Sequence, residues 1–121
     1  MKKLRLFLLI VLVLCFASLS YGQGALKAST ELTSSSLITP GPGYFCGIMV
    51  STDGTNAVTI DVYGNTTAAV PKLMPTWTVT SSSVNRAQTY NVYPPIKSDG
   101  GIYVNVSVAG SGSVKYMVYY Q

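Results

Sequence analysis

Short runs rich in Val, Ile, Tyr and Thr follow one another from Gln23 onward, and Gly, Pro, Asn, Asp and Ser separate them. The turn signals recur about every 8 to 12 residues, a spacing typical of β-sandwiches and barrels. No stretch of this region keeps a helical period over three turns. The pattern predicts an all-β fold, a single antiparallel β-sandwich or jelly roll of about seven or eight strands.

The C-terminal end of the chain shows the clearest alternation. Apolar residues occupy every second position of Ile102–Val108 and again of Val114–Tyr120, with Gly110 and Gly112 between the two runs. Since alternate side chains of a strand point to opposite faces, each run has one face suited to burial. The two runs with their short connection predict an antiparallel hairpin.

Further strands are expected at residues 26–37, 44–52, 57–63, 72–79 and 87–93. Pro75 cannot donate a ladder hydrogen bond, which predicts that its run is an edge strand or is split at a bulge. Pro94 and Pro95 are expected to close the run before them. Between two of the runs, Asp53 and Gly54 begin a tight turn in which the glycine takes a positive φ.

Residues 1–22 have the order of a secretory signal peptide: three basic residues, an uncharged apolar run at 6–16, then small and polar residues. Ser20 and Gly22 would occupy the −3 and −1 positions, so we predict cleavage after Gly22, with cleavage after Ser20 as the second choice. Residues 23–42 would then form an N-terminal strand and a Pro/Gly linker, and residues 43–121 the body of the sandwich.

A cleaved signal has two alternatives. An uncleaved membrane anchor is disfavoured because the apolar run is shorter than the roughly 20 residues that span a bilayer. Lipidation at Cys15 is rejected because Leu14 stands where that modification requires Gly or Ala. The expected product is a secreted protein, periplasmic or extracellular in a bacterial host and free of the membrane after cleavage.

The charge balance excludes several classes of function. Three of the eight basic residues leave with the signal, so five basic and four acidic residues remain in a mature chain of 99 residues. The five are scattered, and we therefore expect no nucleic-acid binding. The chain has no His, which excludes serine–histidine and cysteine–histidine catalysis within it.

The remaining side chains predict no enzyme, no metal site and no cofactor. The four acidic residues are interpreted as turn and strand residues rather than as a catalytic pair: Glu31, Asp53, Asp61 and Asp99. No calcium loop of alternating Asp residues occurs, and one Cys is not a zinc site. No glycine-rich loop opens a helix to hold phosphate.

Cys46 is the only cysteine left after cleavage, so no internal disulfide can form. It lies in an apolar run, which favours a buried thiol, and an intermolecular bridge is the alternative. The aromatic residues are the other unusual feature. Trp77, Tyr103 and Tyr119 are the predicted contact surface, either with protein or as a platform for carbohydrate.

Turn and core residues of the body carry a resemblance to a known group of proteins. They are Gly43-Tyr44, Gly47-Ile48, residues 50–56 and 58–63, Asn65-Thr66, Lys72-Leu73, Pro75, residues 94–96, 101–104 and 106–110, Val114, Tyr116 and residues 118–120. Between Gly43 and Tyr120 the chain resembles small all-β proteins encoded in the structural regions of tailed bacteriophages and prophages. The resemblance implies a virion or fibre subunit and supplies no catalytic residue. Such subunits assemble without a signal peptide, so here it implies either an exported phage-like module or likeness to a wider set of short β-sandwiches.

Two hypotheses of function follow. The first is a non-enzymatic exported structural subunit of a fibre or coat, virion-associated if phage-encoded. It would act by self-association or by attachment to another surface protein. The second is a carbohydrate-binding module that uses the same exposed aromatic residues to stack on a glycan. The segment at residues 26–37 offers a further choice, since it could pair with a neighbour's sheet or, as we favour, with its own.

Overall fold

The structure is a computed structural model that describes residues 24–80 and 86–121. The predicted signal peptide at residues 1–22 lies outside the described residues. No helix within the described part of the chain has the length and hydropathy of a membrane span.

The described residues form eight strands, in agreement with the predicted all-β class. They are β1 (Lys27–Ala28), β2 (Ser36–Thr39), β3 (Gly43–Thr52), β4 (Val58–Tyr63), β5 (Trp77–Val79), β6 (Ala87–Ser98), β7 (Ile102–Val108) and β8 (Val114–Tyr120). Val, Ile, Thr and Tyr dominate these segments because branched and aromatic side chains fit a pleated, half-buried surface. Gly54 has a φ of 82° in the turn after β3, as predicted.

The strands make two antiparallel sheets of four. Sheet A has the order β1-β8-β3-β6, and sheet B has the order β2-β7-β4-β5. Members of each consecutive pair (β1 and β2, β3 and β4, β5 and β6, β7 and β8) lie in different sheets. The chain therefore crosses between the sheets at the connection within each pair.

One hydrophobic core lies under the inward faces of both sheets. Val58, Ile60 and Val62 alternate along β4 and are fully buried, as the sequence pattern predicts. Ile48 and Val50 of β3 contribute equally buried side chains from sheet A. Burial of each such side chain is favourable by roughly 1.5–3 kcal/mol, so the shared core is the main source of stability.

The predicted C-terminal hairpin is wrong. β7 pairs with β4 and β2 in sheet B, whereas β8 pairs with β3 and β1 in sheet A. Val104 and Val118 are both fully buried in the common core. The alternation that indicated two strands of one sheet is satisfied equally well by two strands on opposite sides of a core.

Pro94 and Pro95 do not end β6, contrary to the prediction. The pairing of β6 with β3 moves from Asn91 opposite Gly47 to Ile96 opposite Phe45, so the prolines lie in an irregular stretch inside the strand. β6 is an edge strand of sheet A. Prolines are tolerated there because an edge strand needs ladder hydrogen bonds on one side only.

The strand predicted at residues 26–37 is two strands. β1 pairs with β8 in sheet A, and β2 pairs with β7 in sheet B, so the segment pairs within its own chain. The run at 72–79 is regular only in β5, an edge strand of sheet B, with an isolated bridge at Lys72. Pro75 lies between the bridge and β5, as the alternative of a split run predicted.

Candidate functional site

Sheet A presents an outer surface that is nearly uncharged on one side of the β3 bulge. We define the sheet A outer face as the outward side chains of its three longer strands on that side: Lys115, Met117 and Tyr119 of β8, Met49 and Ser51 of β3, and Ala87, Thr89 and Asn91 of β6. Beyond the bulge, Lys97 of β6 lies opposite Tyr44 and adds a charge. Met49 lies opposite both Met117 and Thr89 and is 37% exposed. Lys115, at one corner, is the only charged member. Exposed sheets of soluble proteins usually carry charges that oppose association.

A hollow of about 320 Å³ lies at the opposite end of the sheet A outer face from Lys115. Leu26, Cys46, Thr89, Asn91 and Tyr119 line it. Leu26 is 61% exposed and extends the apolar surface beyond β8. The hollow is open, and most of its exposed lining surface is apolar.

Cys46 is half-buried, so the favoured prediction of a buried thiol is wrong. The pairing of β3 with β8 passes from Phe45 opposite Tyr120 to Gly47 opposite Tyr119, which leaves Cys46 as the extra residue of a bulge. At the same place the pairing with β6 skips residues 92–95 of that strand. Its thiol lies 3.6 Å from the carbonyl oxygen of Tyr44, to which it donates. Partial burial raises the pKa of the Cys46 thiol, which disfavours the reactive thiolate.

The bulge in β3 also explains the glycine beside Cys46. Gly47 has a φ of 154°, a backbone conformation that side chains disfavour. A Cβ at this position would lie 2.6 Å from the carbonyl oxygen of Tyr90 in β6. The close approach of β3 and β6 therefore requires glycine.

The outer surface of sheet B carries an organised charge pair. We define the sheet B outer face by Thr59, Asp61 and Tyr63 of β4 and Tyr103, Asn105 and Ser107 of β7. The Oδ1 atom of Asp61 accepts hydrogen bonds from Lys72 Nζ at 2.7 Å and Thr76 Oγ1 at 2.5 Å. These two bonds, the one from Lys72 first, hold the pKa of the Asp61 carboxyl below its usual range. The Lys72 ammonium also lies 5.6 Å from the centre of the Tyr63 ring.

The structure does not bring the three predicted contact residues together. Tyr119 lies on the sheet A outer face and Tyr103 on the sheet B outer face, on opposite sides of the molecule. Trp77 packs against the core, with its ring centre 5.6 Å from that of Tyr90. Met49 was missed as a surface residue. The signal for it was the unbroken apolar run at residues 44–50, which leaves apolar side chains on both faces of one strand.

Each of the four carboxylates is engaged with a neighbour. Three form ion pairs: Asp61 with Lys72, Asp99 with Lys97, and Glu31 with Lys115. Asp53 instead accepts hydrogen bonds within turns and loops, and its donors are the N–H groups of Asn56, Thr55 and Ser113 and the side-chain amide of Asn56.

Asp53 joins two of the connections between the sheets. Asn56, its first donor, lies in the connection from β3 to β4, and Ser113 lies in the connection from β7 to β8. These hydrogen bonds, the one from the Asn56 backbone first, hold the pKa of the Asp53 carboxyl well below its usual range. Its chemistry is that of a structural carboxylate in a turn.

Among residues 24–80 and 86–121, no three His, Cys, Asp or Glu side chains lie close enough to hold a metal ion. Comparison of the chain with protein-family models, with curated proteins and with solved structures finds no match.

Proposed function

We propose that this protein is a non-enzymatic, exported structural subunit that associates with further copies of itself in a fibre or coat. The observation that carries the proposal is the sheet A outer face, whose centre is formed by Met49, Met117 and Thr89 without a charge. Association of the centres of two such faces buries apolar surface without removing a charge from water, a combination that favours binding. The signal-like residues 1–22 support export.

We further propose that the two sheets form a jelly roll. The strand pairs β1·β8, β2·β7, β3·β6 and β4·β5 are those of one long hairpin folded over on itself, and β3·β8 and β4·β7 join them into two sheets. Jelly rolls recur in viral coat proteins and in lectins. That likeness is an analogy of fold and agrees with the resemblance to phage structural proteins, but function depends on the surfaces.

The alternative function, carbohydrate binding, requires exposed aromatic rings together on one face. Tyr103 and Tyr119 lie on opposite faces. Tyr63, which is paired with Tyr103, has the Lys72 ammonium near its ring. These placements favour self-association over glycan stacking.

The test is the mass in solution of the product exported by cells that express the full chain, measured by sedimentation velocity over a range of concentrations. Wild type is expected to form oligomers. Met49→Lys adds a charge to the centre of the sheet A outer face and is expected to weaken association roughly tenfold or more. Ser107→Lys adds the same charge to the sheet B outer face and is expected to associate as wild type does.

Two results would contradict the proposal. A wild-type product that stays monomeric at every concentration would overturn self-association and favour the glycan alternative. Equal weakening by Met49→Lys and Ser107→Lys would show that net charge, rather than the sheet A outer face, controls association.

A further inference from the structure

β6 leaves a long unpaired edge on sheet A. It has 12 residues, whereas β1, β2 and β5, which end the sheets elsewhere, have two, four and three. An edge strand presents a row of free N–H and C=O groups on which another strand can pair. The length of β6 makes it the best template for such pairing among the described strands.

The hydrogen bonds of β3 identify which groups of β6 are free. The N–H of Thr52 donates to the carbonyl of Arg86 at 2.7 Å. Because hydrogen-bonded positions alternate in an antiparallel pair, residues 86, 88 and 90 face β3. The backbone groups of Ala87, Thr89 and Asn91 therefore point away from the sheet, and no hydrogen bond between described residues uses them.

This part of the edge lacks the usual protection. Residues 87–91 (AQTYN) carry no charge, although edge strands are commonly guarded by Lys or Pro. Pro94 and Pro95 do guard the following stretch, where the irregular pairing interrupts the strand. The free edge is therefore a short segment of five residues with a defined end.

We propose that two copies of this chain pair through this segment of β6, antiparallel about a two-fold axis at Thr89. The inference rests on the self-association proposed above and adds a second contact to it, along the edge of the same sheet. Thr89 would pair with Thr89 of the second copy, and Ala87 with Asn91 of the second copy. Each of these pairs would exchange two backbone hydrogen bonds, and no other two-fold register of the segment uses all three free positions.

The neighbouring side chains suit a second copy of the same chain. Arg86 would lie opposite Val92 of the second copy, so the pairing brings no like charges together. On the inward side, Tyr90, which already contacts Trp77, would lie beside Gln88 of the second copy. On the outward side the two copies of the sheet A outer face become one continuous surface, with Met49 next to Thr89 in each.

Charge at position 89 tests both the edge and the axis. Thr89 is exposed on an edge strand, so Thr89→Lys and Thr89→Glu should fold. Melting curves followed by circular dichroism check this independently. Each variant alone would place two like charges in contact at the axis. Its dimer is expected to be weaker than that of wild type by about tenfold or more. An equimolar mixture of the two is expected to form the mixed dimer, identified by its mass in native mass spectrometry. Ser107→Lys and Ser107→Glu are the matched controls, and their mixture is expected to show no preference.

The outcomes separate the two proposals. Because Thr89 also belongs to the sheet A outer face, Met49→Lys separates the two contacts. Weakened association in Met49→Lys, with dimers of Thr89→Lys and of Thr89→Glu as stable as those of wild type, would overturn the β6 assignment while self-association stands. Weakened single variants with no preference for the mixed dimer would overturn the two-fold axis at Thr89. A wild-type chain that is monomeric at every concentration would overturn both proposals.

Discussion

Sheets A and B are built from equal numbers of strands around one core, yet they differ in their central strands and their outer faces. In sheet B the central strands β4 and β7 pair without interruption over six positions, and Asp61 holds Lys72 on the outer face. In sheet A the central strand β3 bulges at Cys46, and the outer face has no charge at its centre. Sheet B is regular in its central pair, with its only register shift at the edge strand β2 among the described pairings, and its outer face is charged. In sheet A the irregularity lies in the central strand, and the centre of the outer face is uncharged.

The inward positions of the two sheets meet the same requirement, whereas their outward positions do not. Both inward faces need alternating apolar residues, and both have them. The outward positions are free of that requirement, so their composition reflects interaction with the surroundings. The outer face of sheet B carries an ion pair, and the outer face and edge of sheet A are the surfaces on which the proposed self-association depends.

The largest predicted effect tests the irregularity of sheet A. Gly47→Ala would force a Cβ to within 2.6 Å of the Tyr90 carbonyl oxygen at a φ of 154°. We expect the free energy of unfolding, measured by urea denaturation, to fall by about 2–3 kcal/mol. Gly41→Ala is the control, because nothing lies within 4 Å of a Cβ there, and its effect should stay within about 0.5 kcal/mol.

Equal stability of the two glycine variants would show that β3 and β6 do not approach closely at Gly47. The close approach of β3 and β6 would then not distinguish sheet A from sheet B. Loss of stability in both variants would instead indicate that Gly41 also has a conformational role.

The second prediction concerns the charge of sheet B. Asp61→Asn removes the ion pair with Lys72 but keeps an acceptor for Thr76, so we expect a smaller loss of stability than for Gly47→Ala and no change in self-association. The folded-state pKa of Asp61 is lowered. Its contribution is therefore complete above the unfolded pKa of about 3.9 and is lost as the pH falls through the lower folded value.

Urea denaturation of wild type and Asp61→Asn at several pH values measures this contribution. The difference between the two proteins should be constant near neutral pH and should vanish in acid. A difference that persists after the carboxyl is protonated would mean that shape, rather than charge, makes Asp61 favourable on sheet B. Loss of self-association in Asp61→Asn would show that the contact surface lies on sheet B and not on sheet A.

The sequence was a good guide to burial and a poor guide to pairing. The alternation of Val58, Ile60 and Val62 predicts a strand with one buried face, and that face is in the core. The same kind of pattern suggested that β7 and β8 form a hairpin, but alternation records only that a face is buried. It does not record which strand lies alongside, and that choice depends on contacts between distant residues.

The candidate site was harder to predict for a related reason. Tyr103 and Tyr119 both alternate with apolar residues, so both were correctly expected to face outward, but only the assignment of their strands to different sheets places them on opposite sides. The free edge of β6 could not be predicted, because Pro94 and Pro95 in sequence resemble the end of a strand. Their tolerance inside β6 follows from its position at an edge, which is a property of the assembled sheet.

The smallest predicted effect concerns the one ion pair at the corner of sheet A. Lys115 Nζ lies 3.0 Å from Glu31 Oε1, and the two side chains are 61% and 56% exposed. Glu31→Gln is therefore expected to change the free energy of unfolding by no more than about 0.5 kcal/mol. A double-mutant cycle with Lys115→Gln, measured on dilute protein, should give a similarly small coupling energy. A coupling above about 1 kcal/mol would be too large for an exposed pair. It would mean that this corner is shielded from water even in dilute solution, and the difference from the partly buried Asp61–Lys72 pair of sheet B would disappear.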